Sequence, residues 1–355
     1  MRRHNVRPRL TLALAALLMT TGCTAGCGAG ASSANPQPNA SLAPIVSSAQ
    51  IWFHPLPPSA TNYPGPLPNH GSTDFPQLFQ PNAPWANVES HTKVLGIYVY
   101  WVLTASQSDL QQTIAFVNAH HMGIELEAPA LQATAACGEG VEGFVGGGQT
   151  VQAVTLSYLQ RLQAVGANVQ YIKVDEPYFF GSVATEPGTC QWPVSQVASE
   201  VSAYVHLVHT IFPNAAVGDV EPVTAGFYSP DVVTALGQWH STYSTINGAP
   251  FPFYIADLDF NNPTWQTLAK SLETQTKQAG MKFGIIYIGD YQDTSDAQWA
   301  SKVVARFEAY QGQDGGQPDF VLFQSWEPHP LFCLPESDPN TFTGAVNAYV
   351  RATGM

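Results

Sequence analysis

From about residue 50 onward, short apolar runs alternate with longer amphipathic segments, the pattern of repeated βαβ units feeding a parallel sheet. Eight runs read as strands: Ile51–Leu56, Val94–Leu103, Gly123–Pro129, Val169–Glu176, Ala215–Glu221, Pro252–Asp259, Lys282–Asp290 and Asp319–Glu327. Helical periodicity occupies Ser106–His120, Val151–Val165, Val194–Phe212, Pro263–Gly280 and Ser295–Gln311, and a last helix, Asn340–Arg351, follows the eighth run. In the first of these helices polar Ser106 to Ser108 precede apolar Leu110, Ile114, Phe116 and Val117, as an amphipathic helix requires. The first connection, Pro58 to Lys93, is Pro-rich and only weakly helical. Eight repeats predict an α/β fold, a (β/α)8 TIM barrel forming a single domain over residues 50–355. No GxGxxG follows a strand, Gly146 to Gly148 lack the lysine of a P-loop, and no Gly-x-Ser-x-Gly elbow occurs. Dinucleotide, nucleotide and serine-hydrolase chemistry therefore have no support.

Ahead of the barrel the pattern changes. Arg2, Arg3, Arg7 and Arg9 precede the apolar stretch Leu10–Met19, and Thr20-Thr21-Gly22-Cys23 follows, which reads as a signal peptide over residues 1–22. Its apolar core is too short to span a bilayer. The Gly22-Cys23 ending resembles a bacterial lipoprotein signal, with Thr20 where that family usually has leucine; the resemblance implies lipidation of Cys23 and an envelope location, against secretion of a soluble form. Residues 23–49 are rich in Ala, Ser, Gly, Asn and Pro and almost uncharged, a flexible tether. Membrane contact is expected only through such an anchor.

Composition narrows the partner. The 355 residues carry a formal charge of −13, and only 11% are charged while 45% are hydrophobic. Four of the 13 basic residues lie in the leader, so the exported body is more acidic still, which argues against nucleic acid and for a neutral ligand. A monomer without cofactor or metal is the expectation. Outside the leader the cysteines are Cys137, Cys190 and Cys333, and in an exported chain a Cys137–Cys190 disulfide is preferred, because both follow strands that would be sheet neighbours; Cys333 is then free.

The strand ends carry the candidate chemistry. Four runs stop at an acid and a proline: Asp175-Glu176-Pro177, Glu221-Pro222, Glu327-Pro328 and, nearly so, Glu127-Ala-Pro129. Pro177 should hold Glu176 extended, as the last residue of its strand. In a parallel barrel the C-terminal strand ends converge on one mouth. That mouth would gather His54, Tyr100, Trp101, Glu127, Asp175, Glu176, Glu221, Asp257, Asp259, Tyr287, Asp290, Trp326 and Glu327, an acidic and aromatic set with almost no cation. Rings stack on sugar faces and carboxylates accept hydroxyl protons, so carbohydrate is the matching substrate class. Taken singly, an acid at a strand end can equally serve as the N-cap of the next helix or as the partner of a neighbouring strand-end amide.

Asp175-Glu176-Pro177 at the end of the fourth strand, with Trp326 at the eighth, resembles the barrel glycoside hydrolases whose fourth strand ends Asn-Glu-Pro. The resemblance implies that Glu176 is the acid/base. That superfamily places its nucleophilic glutamate on strand seven, where this chain has Asp290, so the partner carboxylate stays open among Asp290, Glu221 and Glu327. Adjacent Asp175 and Glu176 equally resemble the strand-four pair of barrel N-acetylhexosaminidases, in which the Asp orients the substrate acetamido group and the Glu is the acid. A tethered barrel that binds glycan without hydrolysing it is the non-enzymatic alternative.

Overall fold

The computed structural model describes residues 45–58, 71–132, 144–145, 151–185 and 189–355. The signal peptide, Cys23 and Cys137 lie outside the described residues. Eight parallel strands close into a barrel: β1 Gln50–His54, β2 Thr92–Tyr98, β3 Gly123–Ala128, β4 Val169–Asp175, β5 Ala216–Val223, β6 Phe253–Leu258, β7 Lys282–Tyr287 and β8 Phe320–Gln324. Sequential strands are neighbours throughout, and β1 pairs with β8 to complete the ring. The architecture is thus the (β/α)8 barrel that the alternation predicts.

Outside the barrel run helices α1 Ala86–His91, α2 Val99–Thr104, α3 Gln107–Ala119, α4 Val151–Ala164, α5 Val194–His209, α6 Val232–Asn247, α7 Trp265–Gln278, α8 Asp296–Phe307 and α9 Phe342–Thr353. Their starts follow side-chain capping: Ser106, Asp231, Ser295 and Thr341 each accept a hydrogen bond from a backbone N–H in the first turn. The weakly helical first connection holds a 3-10 turn, Phe75–Phe79, and α1. Residues 45–49, which composition assigns to a tether, belong to the folded body. Ile45 and Ala49 are buried, and the Ile45 N–H donates to the carbonyl of Ala352 at 3.0 Å, so the folded body includes residues from 45 onward.

Two layers fill the barrel. At the N-terminal end Trp52 stacks on Phe320 at 4.1 Å and packs against Tyr171 at 4.6 Å and Phe253 at 5.5 Å, four aromatic rings from β1, β4, β6 and β8. Period-two alternation then fixes the inward residues of the next layer: His54 after Trp52, Lys173 and Asp175 after Tyr171, Asp257 after Phe253 and Gln324 after Phe320. Gly96 of β2 makes room there, since a Cβ at that position would lie 2.3 Å from the His54 ring. The lower barrel is therefore an apolar plug and the upper barrel polar, so function belongs at the C-terminal mouth.

Candidate active site

A buried polar network forms the floor of the mouth. The Lys173 ammonium lies 2.5 Å from Glu127 Oε2 and donates to Gln324 Oε1 at 2.5 Å. Gln324 Nε2 donates to the same Glu127 oxygen at 2.5 Å and to the Tyr98 hydroxyl at 3.0 Å, and Tyr98 in turn donates to the carbonyl of Ser325. Burial opposes the charge on Lys173, yet Glu127, Glu125 and Asp175 together raise its pKa, so it is a fixed cation. Beneath it, His54 Nδ1 sits 3.0 Å from Glu125 Oε2, both fully buried. Burial and the nearby Lys173 push His54 down to about 3, while burial pushes Glu125 up to about 7, against the pull of Lys173. His54 is therefore neutral and lies under the floor rather than on the mouth's surface.

A second cluster rises on the β6–β8 side. Both Asp290 oxygens are paired, one with Arg306 of α8 at 2.5 Å and the other with Lys302 at 2.7 Å. Partial burial works against ionisation, but these hydrogen-bonded cations outweigh it and lower the Asp290 pKa. Arg306 is itself wedged against the Phe260 ring, 4.0 Å from its centroid, and donates to the carbonyls of Ile288 and Gly289. Glu327 stands in the opposite condition. It is 9% exposed, and its Oε2 is buried without a hydrogen-bond partner among the described residues. Burial raises its pKa to about 7, helped by Asp257, Asp290 and Asp293 and opposed by Arg306. Asp257 is pushed up to about 6, chiefly by burial, with Lys173 pulling it down and Glu127 pushing it up. Neighbouring carboxyl groups with pKa values driven apart mark acid and base roles.

Several sequence candidates sit elsewhere. Strand β2 ends at Tyr98, and Tyr100 and Trp101 fall in α2, buried; the Tyr100 hydroxyl donates to the carbonyl of Pro57 and Trp101 packs on Phe75 at 5.4 Å. Bulky apolar residues continue the β-like run across the strand–helix junction, which is why they read as strand. Tyr287 points outward, donating to Gln311 at 3.0 Å and packing on Phe307. Glu221 also faces outward, because Gly218 pairs with inward Lys173 and the inward positions of β5 are therefore Gly218, Val220 and Pro222. Its carboxyl oxygens accept the N–H groups of Tyr178 at 2.6 Å and Phe179 at 3.0 Å, and burial beside Asp219 raises its pKa. Asp259 caps its own turn, accepting from the Asn261 N–H at 3.0 Å. Trp326 is half-buried against the core.

Strand β4 ends one residue early, at Asp175, which faces inward. Glu176 is not extended but left-handed, with φ of 45°, and its N–H donates to the carbonyl of Val220 at 3.1 Å. Proline at 177 disfavours the right-handed helical region for its predecessor, and here the chain avoids it on the other side of φ. A left-handed glutamate costs on the order of 1–3 kcal/mol, and such outliers concentrate at functional sites. Glu176 adds its charge to the surroundings of Tyr228 and Tyr254, on the β4–β6 side. Asp257, Asp290 and Glu327 thus share one cluster, and Tyr254 lies within the field of both Asp257 and Glu176.

The mouth also differs from the expectation of almost no cation, since Lys173, Lys302 and Arg306 all serve it. Lys173 was legible by alternation, two residues before Asp175 on the same strand. Arg306 carries no comparable signal, because its reach from α8 into the mouth is purely tertiary. Cys190 is disulfide-bonded, and Cys333 is a buried free thiol.

No family model matches this chain, and no curated protein matches it. Among solved structures, it is similar to a candidate α-L-fucosidase from Bacteroides thetaiotaomicron, with 10% identity over 90% of this chain and 98% of that one and a TM-score of 0.51. It is also similar to a fungal β-1,4-galactanase (11% identity, 76% and 90% covered, TM-score 0.48) and to a 3-keto-D-glucoside 4-epimerase from E. coli (11%, 86% and 100%, TM-score 0.42). The first of these likenesses agrees with the closed barrel, and the barrel by itself implies no chemistry.

Proposed function

We propose that this protein is a glycoside hydrolase of neutral glycans in which Glu327 is the proton donor and Asp290 the ionised carboxylate. The observation that carries the proposal is the contrast between the two: Glu327 is buried, unpartnered and raised to about 7, while Asp290 is held ionised by Arg306 and Lys302. Glycosidic cleavage needs that combination, a carboxylic acid to protonate the leaving oxygen and a carboxylate to stabilise or attack the oxocarbenium-like centre. Lys173, Glu127, Gln324 and Asp257 supply donors and acceptors for sugar hydroxyls on the floor. The leader-like pattern of residues 1–22 supports a substrate outside the cytoplasm, and a lipid on Cys23 would tether the barrel at the envelope.

A second reading is favoured by the left-handed Glu176. There Glu176 is the acid, and inward-facing Asp175 orients an acetamido group that attacks from within the substrate. Measuring reducing ends released from galactan, xylan, mixed-linkage glucan and chitin oligosaccharides separates these readings. Release from a neutral polysaccharide by the Glu176→Gln variant but not by Glu327→Gln is the expected result. Chitin cleavage lost only in Glu176→Gln supports the second reading instead. No release from any substrate by the wild type leaves a glycan-binding barrel.

A further inference from the structure

Six large hydrophobic side chains stand exposed among the described residues: Val46, Phe227, Ile246, Tyr291, Phe332 and Met355. The three aromatic ones share a location. Phe227 follows β5, Tyr291 follows β7 and Phe332 follows β8, so all three lie in loops at the C-terminal face, while Val46, Ile246 and Met355 lie before β1, near the end of α6 and after α9. Tyr291 is adjacent to Asp290, and Phe332 is five residues beyond Glu327. Phe227 belongs to the other side of the mouth, three strands from β8.

These rings are mounted on fixed supports. Phe227 stacks on Phe179 at 4.9 Å and 22°, and the Phe179 N–H is one of the two that donate to the buried Glu221. The turn carrying Tyr291 is closed by Asp293, which accepts the Asp290 N–H at 2.7 Å and donates its own N–H to the carbonyl of Asp290 at 2.9 Å. The Phe332 loop is tied on both sides: Asp296 Oδ1 lies 2.6 Å from His329 Nδ1 and accepts the Leu331 N–H at 3.0 Å, while the carbonyl of Phe332 accepts the Phe342 N–H at 3.0 Å. Solvent-exposed rings held on ordered backbone lose little entropy when a ligand covers them.

Resting on the glycan reading of this mouth, we infer that Phe227, Tyr291 and Phe332 are stacking platforms for a polymeric neutral glycan that crosses the mouth from the β5 side to the β7–β8 side. Rings that follow β5 on one side and β7 and β8 on the other suit an occupant several sugars long and cleavage within a chain. Flat isolated rings suit the apolar faces of sugars. The carboxylates between them repel an anionic polymer, which leaves a neutral one.

Affinity electrophoresis through gels containing galactan, xylan, mixed-linkage glucan or, as an anionic control, polygalacturonate tests this without turnover, using the Glu327→Gln variant as background. At least one neutral polymer is expected to retard the protein, and Phe227→Ala, Tyr291→Ala and Phe332→Ala are each expected to weaken retardation about 3- to 10-fold, the range of single-ring contacts. Ile246→Ala should leave it unchanged, and Phe332→Tyr should restore it. Retardation that no ring substitution alters, or that appears only with polygalacturonate, or that no polymer causes, overturns the proposal. Ring-dependent retardation in a protein that releases no reducing ends keeps it and removes the hydrolase reading alone.

Discussion

Replacing Glu327 with glutamine lowers cleavage of a neutral polysaccharide by about 10²- to 10⁴-fold, the contribution of a positioned general acid. The loss depends on the leaving group. A sugar hydroxyl leaves only with a proton, whereas a dinitrophenolate leaves without one, so aryl glycosides of that kind should fall by no more than about tenfold. Gln keeps the shape of Glu327 and removes the buried acid, whose Oε2 makes no hydrogen bond among the described residues for the substitution to break. Thermal stability should therefore be retained, and steady-state kinetics on the two substrate types checks both points. Equal losses on both would assign Glu327 to binding rather than to proton transfer.

The largest effect on stability is expected at Lys173. Its ammonium is buried and bonds Gln324 while pairing with Glu127, and it is the cation nearest Glu125 and His54 as well. Lys173→Met keeps the aliphatic volume but strands Glu127 and the Gln324 carbonyl, a loss of about 3–5 kcal/mol for breaking one side of a buried pair. Adding Glu127→Gln should return part of that loss, because the stranded charge goes with it. A double-mutant cycle by urea denaturation measures the coupling, and additive single losses would mean the pair contributes nothing jointly.

Much of this was legible from patterning. Alternating apolar runs located all eight strands, because a barrel strand must be apolar on its helix-facing side whatever its inner face carries. The strand ends named Asp175 and Asp257 as mouth candidates, and both lie at inward positions of their strands. What misled was the end of each strand. Val99 to Leu103 are as bulky and apolar as β2, yet they turn into α2 and bury Tyr100 and Trp101. At β5 Gly218 pairs with inward Lys173, so period two sends Glu221 outward to hold the Tyr178 and Phe179 amides. At β4 it stops one residue before Glu176, which takes a left-handed turn. A shift of one residue changes the face, and local sequence does not fix strand ends to one residue. The pKa contrast between Glu327 and Asp290 had no local signal at all, since it depends on Arg306 and Lys302 arriving from α8.

The pH dependence of kcat/KM on a neutral polysaccharide tests the assignment of Glu327 most directly. As the acid, Glu327 works protonated, so activity should fall as pH rises through about 7. Asp290 works ionised with a lowered pKa, so activity should persist on the acid side to below its ordinary value of 3.8. A broad acidic plateau with a falling limb near 7, abolished in Glu327→Gln and preserved in Glu176→Gln, is the predicted result. A limb near 7 that survives in Glu327→Gln and vanishes in Glu176→Gln would contradict it.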